Sequence, residues 1–288
     1  MVEPPFGGKP LFGIIGGTGR MGLWFRKFLE AQGLTVEVAS RRTPLTPAEL
    51  AAKADVLVLS VPIAAVVQLA AELGPKVREG GLLMDLTSLK SASVAAMLEA
   101  SQCEVIGAHP LFGPDTPSVS GHTVVLCPAR GKTWLPYIRG LLEGAGARVV
   151  ISKPARHDRA MAAVQGLTHF DTLAFALALA RLKLPLAELL EFATPNFKLK
   201  LKQAARILRQ DPILYAQIEA NNPEVPSALY TLTRAQAELR EAALSGNIEA
   251  FGALFHEAAE FFAALSEADY RDLTRQFIEA CQAEESDE

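Results

Sequence analysis

Cysteine is scarce in this 288-residue chain, which has only Cys103, Cys127 and Cys281. They are odd in number, widely spaced and form no C-x-x-C pair, which excludes a disulfide framework and fits a reducing compartment. The five histidines and three cysteines show no ligand spacing, so no metal is expected. Basic charge is short as well. The 28 Lys+Arg face 32 Asp+Glu, a formal net charge of −4, without the basic footprint of a nucleic-acid binder. No apolar run approaches the roughly 18 uninterrupted residues of a membrane span; Leu173–Ala180 is closed by Arg181 and Lys183. Met1-Val2-Glu3-Pro4-Pro5 has no basic stretch followed by an apolar one, so no signal peptide is expected and the sequence reads as cytoplasmic. There is no repeat of fixed period and no low-complexity block, and Glu284–Glu288 reads as a solvated acidic tail.

What remains is a chain half hydrophobic and about one-fifth charged, too apolar for disorder and long enough for two domains. From Leu11 to Ile151, short β-rich runs alternate with helical segments. Strands are expected at 11–15, 35–39, 55–61, 81–86, 104–106, 123–126 and 148–151, with helices at 21–32 and 63–73 and a third starting at Thr46. Thr46-Pro47-Ala48-Glu49 supplies an N-cap, a proline at the first helical position and a glutamate at the third. Such alternation predicts an α/β fold, a Rossmann-type doubly wound parallel sheet over residues 1–152. After Pro154 the pattern is helical throughout, with helices expected at 157–182, 186–193, 196–210, 212–220, 227–245 and 248–264. Residues 153–288 therefore read as an all-α domain. Phe251, Leu254, Phe255, Ala258, Phe261 and Phe262 form a wide apolar stripe, read as core or subunit interface.

Gly17-Thr18-Gly19-Arg20-Met21-Gly22 matches G-x-G-x-x-G between the first strand and the first helix. The glycines permit a tight turn, close backbone approach to a pyrophosphate, and helix–strand packing. Free N–H groups and the helix dipole then favour phosphate charge. At the end of the second strand, an NAD site usually carries an acidic residue for the ribose hydroxyls. Here Ser40-Arg41-Arg42 stands there, a pattern suited to a 2′-phosphate, so NADP is expected with NAD the alternative. Ser60-Val61-Pro62, ending the third strand, is assigned to the same cofactor site. Open α/β sheets bind ligands beyond the carboxyl ends of their strands. That rule places Asp85-Leu86-Thr87-Ser88-Leu89-Lys90 and Gly107-Ala108-His109-Pro110-Leu111-Phe112-Gly113-Pro114-Asp115 beside the nicotinamide. His109 is suited to take a proton from a hydroxyl as hydride leaves the same carbon. Lys90 reads as solvated, and His157 as a helix-start cap.

These motifs, together with His157-Asp158-Arg159, Gln165–Phe170, Thr194-Pro195 and Arg206–Tyr215, resemble the prephenate and arogenate dehydrogenases of tyrosine biosynthesis over nearly the whole chain. The likeness is closest to the dehydrogenase part of bifunctional T-proteins, without the chorismate mutase part that precedes it there and without a following ACT-like domain. The resemblance implies oxidative decarboxylation of a cyclohexadienyl acid, prephenate or arogenate, by a homodimer joined through its helical domains. His109 would be the base and Ser88 would orient it or the substrate hydroxyl. Arg206 would grip a substrate carboxylate, and His169 would lie near the substrate side chain. A 4-amino-4-deoxyprephenate dehydrogenase and a catalytically inactive NADP-binding regulator are the alternatives.

Overall fold

The computed structural model describes residues 4, 5 and 7–282, with the side chains of 280–282 left aside. The N-terminal Met1–Glu3, the acidic tail 284–288 and the Cys281 side chain lie outside the described residues. The chain forms two compact units, residues 1–162 with 216–223, and residues 163–215 with 224–288. A short stretch of the helical half, 216–223, joins the first unit.

The first unit is built on one seven-stranded sheet: β1 (Leu11–Ile15), β2 (Thr35–Ala39), β3 (Val56–Leu59), β4 (Leu82–Asp85), β5 (Glu104–Pro110), β6 (Thr123–Arg130) and β7 (Arg148–Ile151). Its order is β2-β1-β3-β4-β5-β6-β7. The strands from β2 to β5 are parallel; β6 is antiparallel to β5, and β7 parallel to β6. The antiparallel pair departs from a wholly parallel sheet for a simple reason. Residues 111–122 contain no helix, and without a crossover the chain can only return alongside β5 in the opposite sense.

Alternate side chains explain why helices cover both faces. Phe12, Ile14, Val56, Val58, Leu82 and Met84 pack on one face with Phe25 and Leu29 of α1 (Arg20–Ala31) and with Trp134 and Ile138 of α5 (Trp134–Gly144). Ile15, Leu57, Leu59 and Leu83 pack on the other with residues of α2 (Pro47–Lys53), α3 (Ile63–Leu73) and α4 (Ser91–Ala100). A sheet buried on both faces needs apolar residues at every position, and Val56–Leu59 is buried throughout. The expected capping box forms at α2, where Thr46 and Glu49 satisfy each other's backbone N–H groups. Cys103 and Cys127 are free and buried. The unit also takes in α6 (Pro154–Met161).

The second unit begins within a π-helical segment, Ala162–Leu167. It continues through α7 (Thr168–Leu182), α8 (Leu186–Glu191), α9 (Pro195–Leu208), the start of α10 (Pro212–Asn221), α11 (Val225–Leu244), α12 (Ile248–Phe262) and α13 (Glu267–Gln282). Its apolar residues face outward to an unusual degree: Phe192, Ile248 and Phe261 are 79%, 86% and 78% exposed. Of the two readings of the Phe251–Phe262 stripe, an internal core fails, because α12 has no buried residue. One helical run, Pro154–Leu182, is long and apolar enough to cross a membrane by length and composition alone, with a mean hydropathy of 1.2.

Candidate functional site

The turn after β1 shows why glycine is required there. Gly16 has φ +80°, and a Cβ on it would lie 2.2 Å from the Ser60 carbonyl oxygen at the end of β3. A Cβ on Gly22 would lie 2.4 Å from the Gly16 carbonyl oxygen, so α1 seats directly against the turn. Thr18, Gly19 and Arg20 are exposed, and Gly19 opens α1 without any side chain capping its N–H groups. The cradle therefore fits a dinucleotide phosphate, with unclaimed donors at a helix N-terminus. Ser60, Val61 and Pro62 follow β3 next to this turn, and the Ser60 amide donates to the Ile15 carbonyl at 2.9 Å.

At the end of β2, Ser40 and Thr43 close a tight loop. The Ser40 amide donates to Thr43 Oγ1 at 2.8 Å, and the Arg42 amide donates to Ser40 Oγ at 3.2 Å. Arg41 and Arg42 are exposed, and among the described residues neither is ion-paired. The nearby acid, Glu37, is engaged by Lys53 instead.

The strongest departure from sequence expectation lies beyond β4 and β5. Lys90 is completely buried, where a solvated lysine was expected. Its ammonium pairs with the buried Asp85 carboxylate and donates to the Ala108 carbonyl oxygen at 2.8 Å. Burial holds the Lys90 ammonium below the usual lysine range, with Asp85 opposing that shift. His109 lies inside β5, which runs four residues further than the sequence suggests, and is 4% exposed. Its Nδ1 sits 2.9 Å from Nε2 of His157, and His157 Nδ1 sits 2.8 Å from Asp158 Oδ1. The Asp158 carboxylate also accepts the backbone N–H groups of Lys90 and Ser91, both at 2.8 Å. These donors hold Asp158 below the usual carboxylate range against its burial, while burial drives His109 well below the usual histidine range, helped by His157 and Lys90.

Sequence reasoning treated His157 as a cap and gave Asp158 no role. The adjacent His-Asp pair was visible, but nothing local tells that it faces a strand 48 residues earlier. Ser88 is half-buried and makes no side-chain hydrogen bond among the described residues, whereas His157 meets His109 directly. The loop 111–122 is anchored to α1. Arg20 pairs with Asp115 at 2.7 Å, Trp24 Nε1 donates to the Thr116 carbonyl at 2.7 Å, and Trp24 meets Phe112 edge-on. The glycine turn, Ser88, His109 and this loop thus share the carboxyl edge of the parallel strands. β1 and β5 stand three strand spacings apart there, about 14 Å.

In the second unit, His169 packs edge-on against Tyr215 at 4.7 Å between ring centroids, and burial lowers its basicity. Arg206, exposed near the end of α9, lies close enough to Tyr215 to act on the phenol electrostatically. His169 Nδ1 and Gln165 Oε1 are buried polar atoms without a hydrogen-bond partner. Four residues apart, they supply one donor-or-acceptor and one acceptor from neighbouring turns.

Comparison with known proteins agrees with this layout. Residues 27–151 match the nucleotide-binding domain of prephenate dehydrogenase, and residues 153–257 match its dimerization domain. A probable arogenate/prephenate dehydrogenase of Methanocaldococcus jannaschii is 34% identical over 86% of this chain and 60% of its own length. A T-protein of Haemophilus influenzae is 31% identical over 92% of this chain and 70% of its own. A 4-amino-4-deoxyprephenate dehydrogenase of Streptomyces pristinaespiralis is 34% identical over 87% and 91%. The chain thus spans about three-fifths of the first relative and over two-thirds of the other two. Among solved structures, prephenate dehydrogenase from A. aeolicus with hydroxyphenyl propionate and NAD+ has a TM-score of 0.73 at 21% identity, over 91% of this chain and all of that one. Its shared fold puts a nucleotide-binding domain before a helical one, as here. With both halves matched in order and with relatives at this identity, the chain belongs to the prephenate dehydrogenase family.

Proposed function

We propose that this protein is a prephenate or arogenate dehydrogenase that oxidatively decarboxylates a cyclohexadienyl acid, with NADP as hydride acceptor. The single observation that carries the reading is His109, an imidazole at the carboxyl edge of the sheet whose burial favours the neutral form and whose Nδ1 lies 2.9 Å from His157 Nε2. NADP supplies the acceptor for the hydride. The chain's own groups do the rest. Gly17, Thr18, Gly19, Arg20, Met21 and Gly22 hold the pyrophosphate, with Ser60, Val61 and Pro62 alongside. Ser40, Arg41 and Arg42 take the 2′-phosphate.

His109 accepts the proton of the ring hydroxyl as the electron pair of the adjacent C–H bond leaves as hydride, giving a ring carbonyl. The bond from the opposite ring carbon to the carboxylate then breaks, CO₂ departs, and its electron pair flows through the ring to the oxygen. His109 returns the proton to that phenolate, and the ring is aromatic. Burial keeps His109 unprotonated and so free to accept the first proton. Ser88, with its hydroxyl uncommitted, hydrogen-bonds the substrate hydroxyl. Arg206 grips a substrate carboxylate in the bidentate manner a guanidinium allows, and His169 serves the side-chain end.

The outward apolar residues of the second unit support a homodimer joined through it. A dimer face accounts for the apolar character of Pro154–Leu182 without a membrane, and a cytoplasmic location follows from that reading. The relative that acts on 4-amino-4-deoxyprephenate favours a second reading, in which a ring amine stands where the hydroxyl would be. The test is reduced-nicotinamide absorbance with prephenate, arogenate or 4-amino-4-deoxyprephenate, each paired with NADP and NAD. Turnover of prephenate or arogenate, with NADP preferred, is the expected result. Turnover of the amine alone supports the second reading, and NADPH binding without any turnover leaves an inactive nucleotide-binding regulator.

A further inference from the structure

We infer that His157 and Asp158 are positioning residues that fix His109 as the tautomer with its proton on Nδ1 and its lone pair on Nε2. This inference rests on the reading of His109 as the base. The argument runs outward from Asp158. Its carboxylate receives the N–H groups of Lys90 and Ser91, which open α4, and it lies 2.8 Å from His157 Nδ1. A carboxylate so supplied with donors is ionised and can only accept, so the proton on His157 must sit at Nδ1. In a neutral His157 the other nitrogen, Nε2, is then an acceptor. His109 Nδ1, 2.9 Å away, is left as the donor, and the lone pair of His109 falls on Nε2.

The surroundings oppose the alternative in which His157 is doubly protonated and His109 carries its proton at Nε2. Both rings are almost fully buried, and the groups that act on His109 are His157, the Lys90 ammonium and Asp158. The Lys90 charge is already met by Asp85, so what opposes an imidazolium here is burial, which withdraws solvent from both rings. Asp158 is itself held from a third side: Asn222 Nδ2 donates to its backbone carbonyl at 2.9 Å. One ionised group in the middle of the protein thus sets the direction of both imidazole hydrogen bonds.

The test compares two substitutions at His157. H157Q offers an amide oxygen to His109 Nδ1–H, and H157F offers nothing. Two-bond ¹H–¹⁵N spectra, recorded without substrate, read the His109 tautomer directly. The wild type and H157Q should show a protonated Nδ1 and a bare Nε2, whereas H157F should lose that preference. In turnover, H157F should lower kcat about 10- to 100-fold, a fraction of what a general base supplies, with KM moved less than about threefold. H157Q should restore most of it. In an H109N background, H157F should cost nothing more, because both act through one group. A wild-type His109 protonated at Nε2, or full kcat in H157F, overturns the inference. If H157F does not fold, the wild-type and H157Q spectra decide alone. If the tautomer is as stated but no substrate turns over, the dehydrogenase reading fails while the positioning stands.

Discussion

The fully buried Lys90–Asp85 pair makes the most demanding prediction. In the native site the Lys90 ammonium meets the Asp85 carboxylate and the Ala108 carbonyl, while Asp85 Oδ1 is already without a hydrogen-bond partner. K90M strips the carboxylate of its cation and leaves only the amide and hydroxyl of Thr87 to support it. Breaking a buried pair from one side costs about 3–5 kcal/mol, because a lone charge stays in a low-dielectric interior. D85N does the same to Lys90 and should cost about as much. Removing both charges in D85N/K90M takes away the desolvation burden together with the attraction, and should cost only about 1–2 kcal/mol. The two substitutions should therefore couple by at least about 4 kcal/mol. Both tryptophans, Trp24 and Trp134, lie in the first unit, so urea titration followed by tryptophan fluorescence reports on the unit that holds the pair. For a unit of this size each kcal/mol moves the melting temperature by about 2–4 °C, so either single variant should melt some 6–20 °C lower. Single variants costing less than about 1 kcal/mol, or a double variant equal to their sum, would refute the reasoning.

Four further outcomes are expected. G22A puts a methyl group 2.4 Å from the Gly16 carbonyl oxygen, and overpacking of about 1–3 kcal/mol should weaken NADPH binding some 10- to 100-fold by fluorescence titration; an unchanged dissociation constant contradicts the cradle. R41A/R42A should raise KM for NADP about 10- to 100-fold and leave that for NAD alone, since each arginine offers a charge-assisted contact only to the 2′-phosphate. Equal changes for the two nucleotides would remove Arg41 and Arg42 from the cofactor site. R206K should raise substrate KM at least about tenfold with nucleotide affinity intact, because an ammonium cannot make the paired hydrogen bonds of a guanidinium; a normal KM counts against carboxylate binding by Arg206. Finally, because the folded-state pKa of His109 is well below 6.5, kcat should be flat from neutral pH downward and fall only beneath the ordinary histidine range. In that window the unfolded chain binds a proton that the folded one does not, so the stability tied to His109 is full at neutral pH and lost as pH falls. H109N should flatten that acid slope, and urea midpoints across pH 4–8 will show whether it does.

Much of the fold was legible because its causes are local. The alternation of apolar runs with capped helices placed five of the seven strands near their observed ends, β5 and β6 each running four residues further, and the glycine turn announced the nucleotide site. What escaped was set by distant partners. Nothing in Glu104–Ile106 says that the strand continues through His109 to Pro110; that follows from pairing with β6, and with it the histidine moves from a loop into the sheet. Lys90 looked solvated because the Ala108 carbonyl meets it only once β5 lies beside β4, and burial of the nearby Asp85 is not visible in the sequence. His157 passed as a cap because its partner lies on a strand 48 residues earlier, and the helices α4, α5 and α13 were not expected from the sequence. The Phe251–Phe262 stripe was correctly seen as apolar, yet sequence alone could not say whether the chain itself or another copy covers it.

If the helical half is covered by a second copy, its bareness ties this protein's endurance to its abundance. In the homodimer proposed above, a body that by itself leaves Phe192, Ile248 and Phe261 mostly uncovered would draw much of its folding free energy from association. Mass action then governs survival. Each tenfold dilution removes about 1.4 kcal/mol from the assembled state, and the fraction open to proteases rises accordingly. A cell that makes little of this chain would keep less than the synthesis rate implies, and a cell that makes much would keep more.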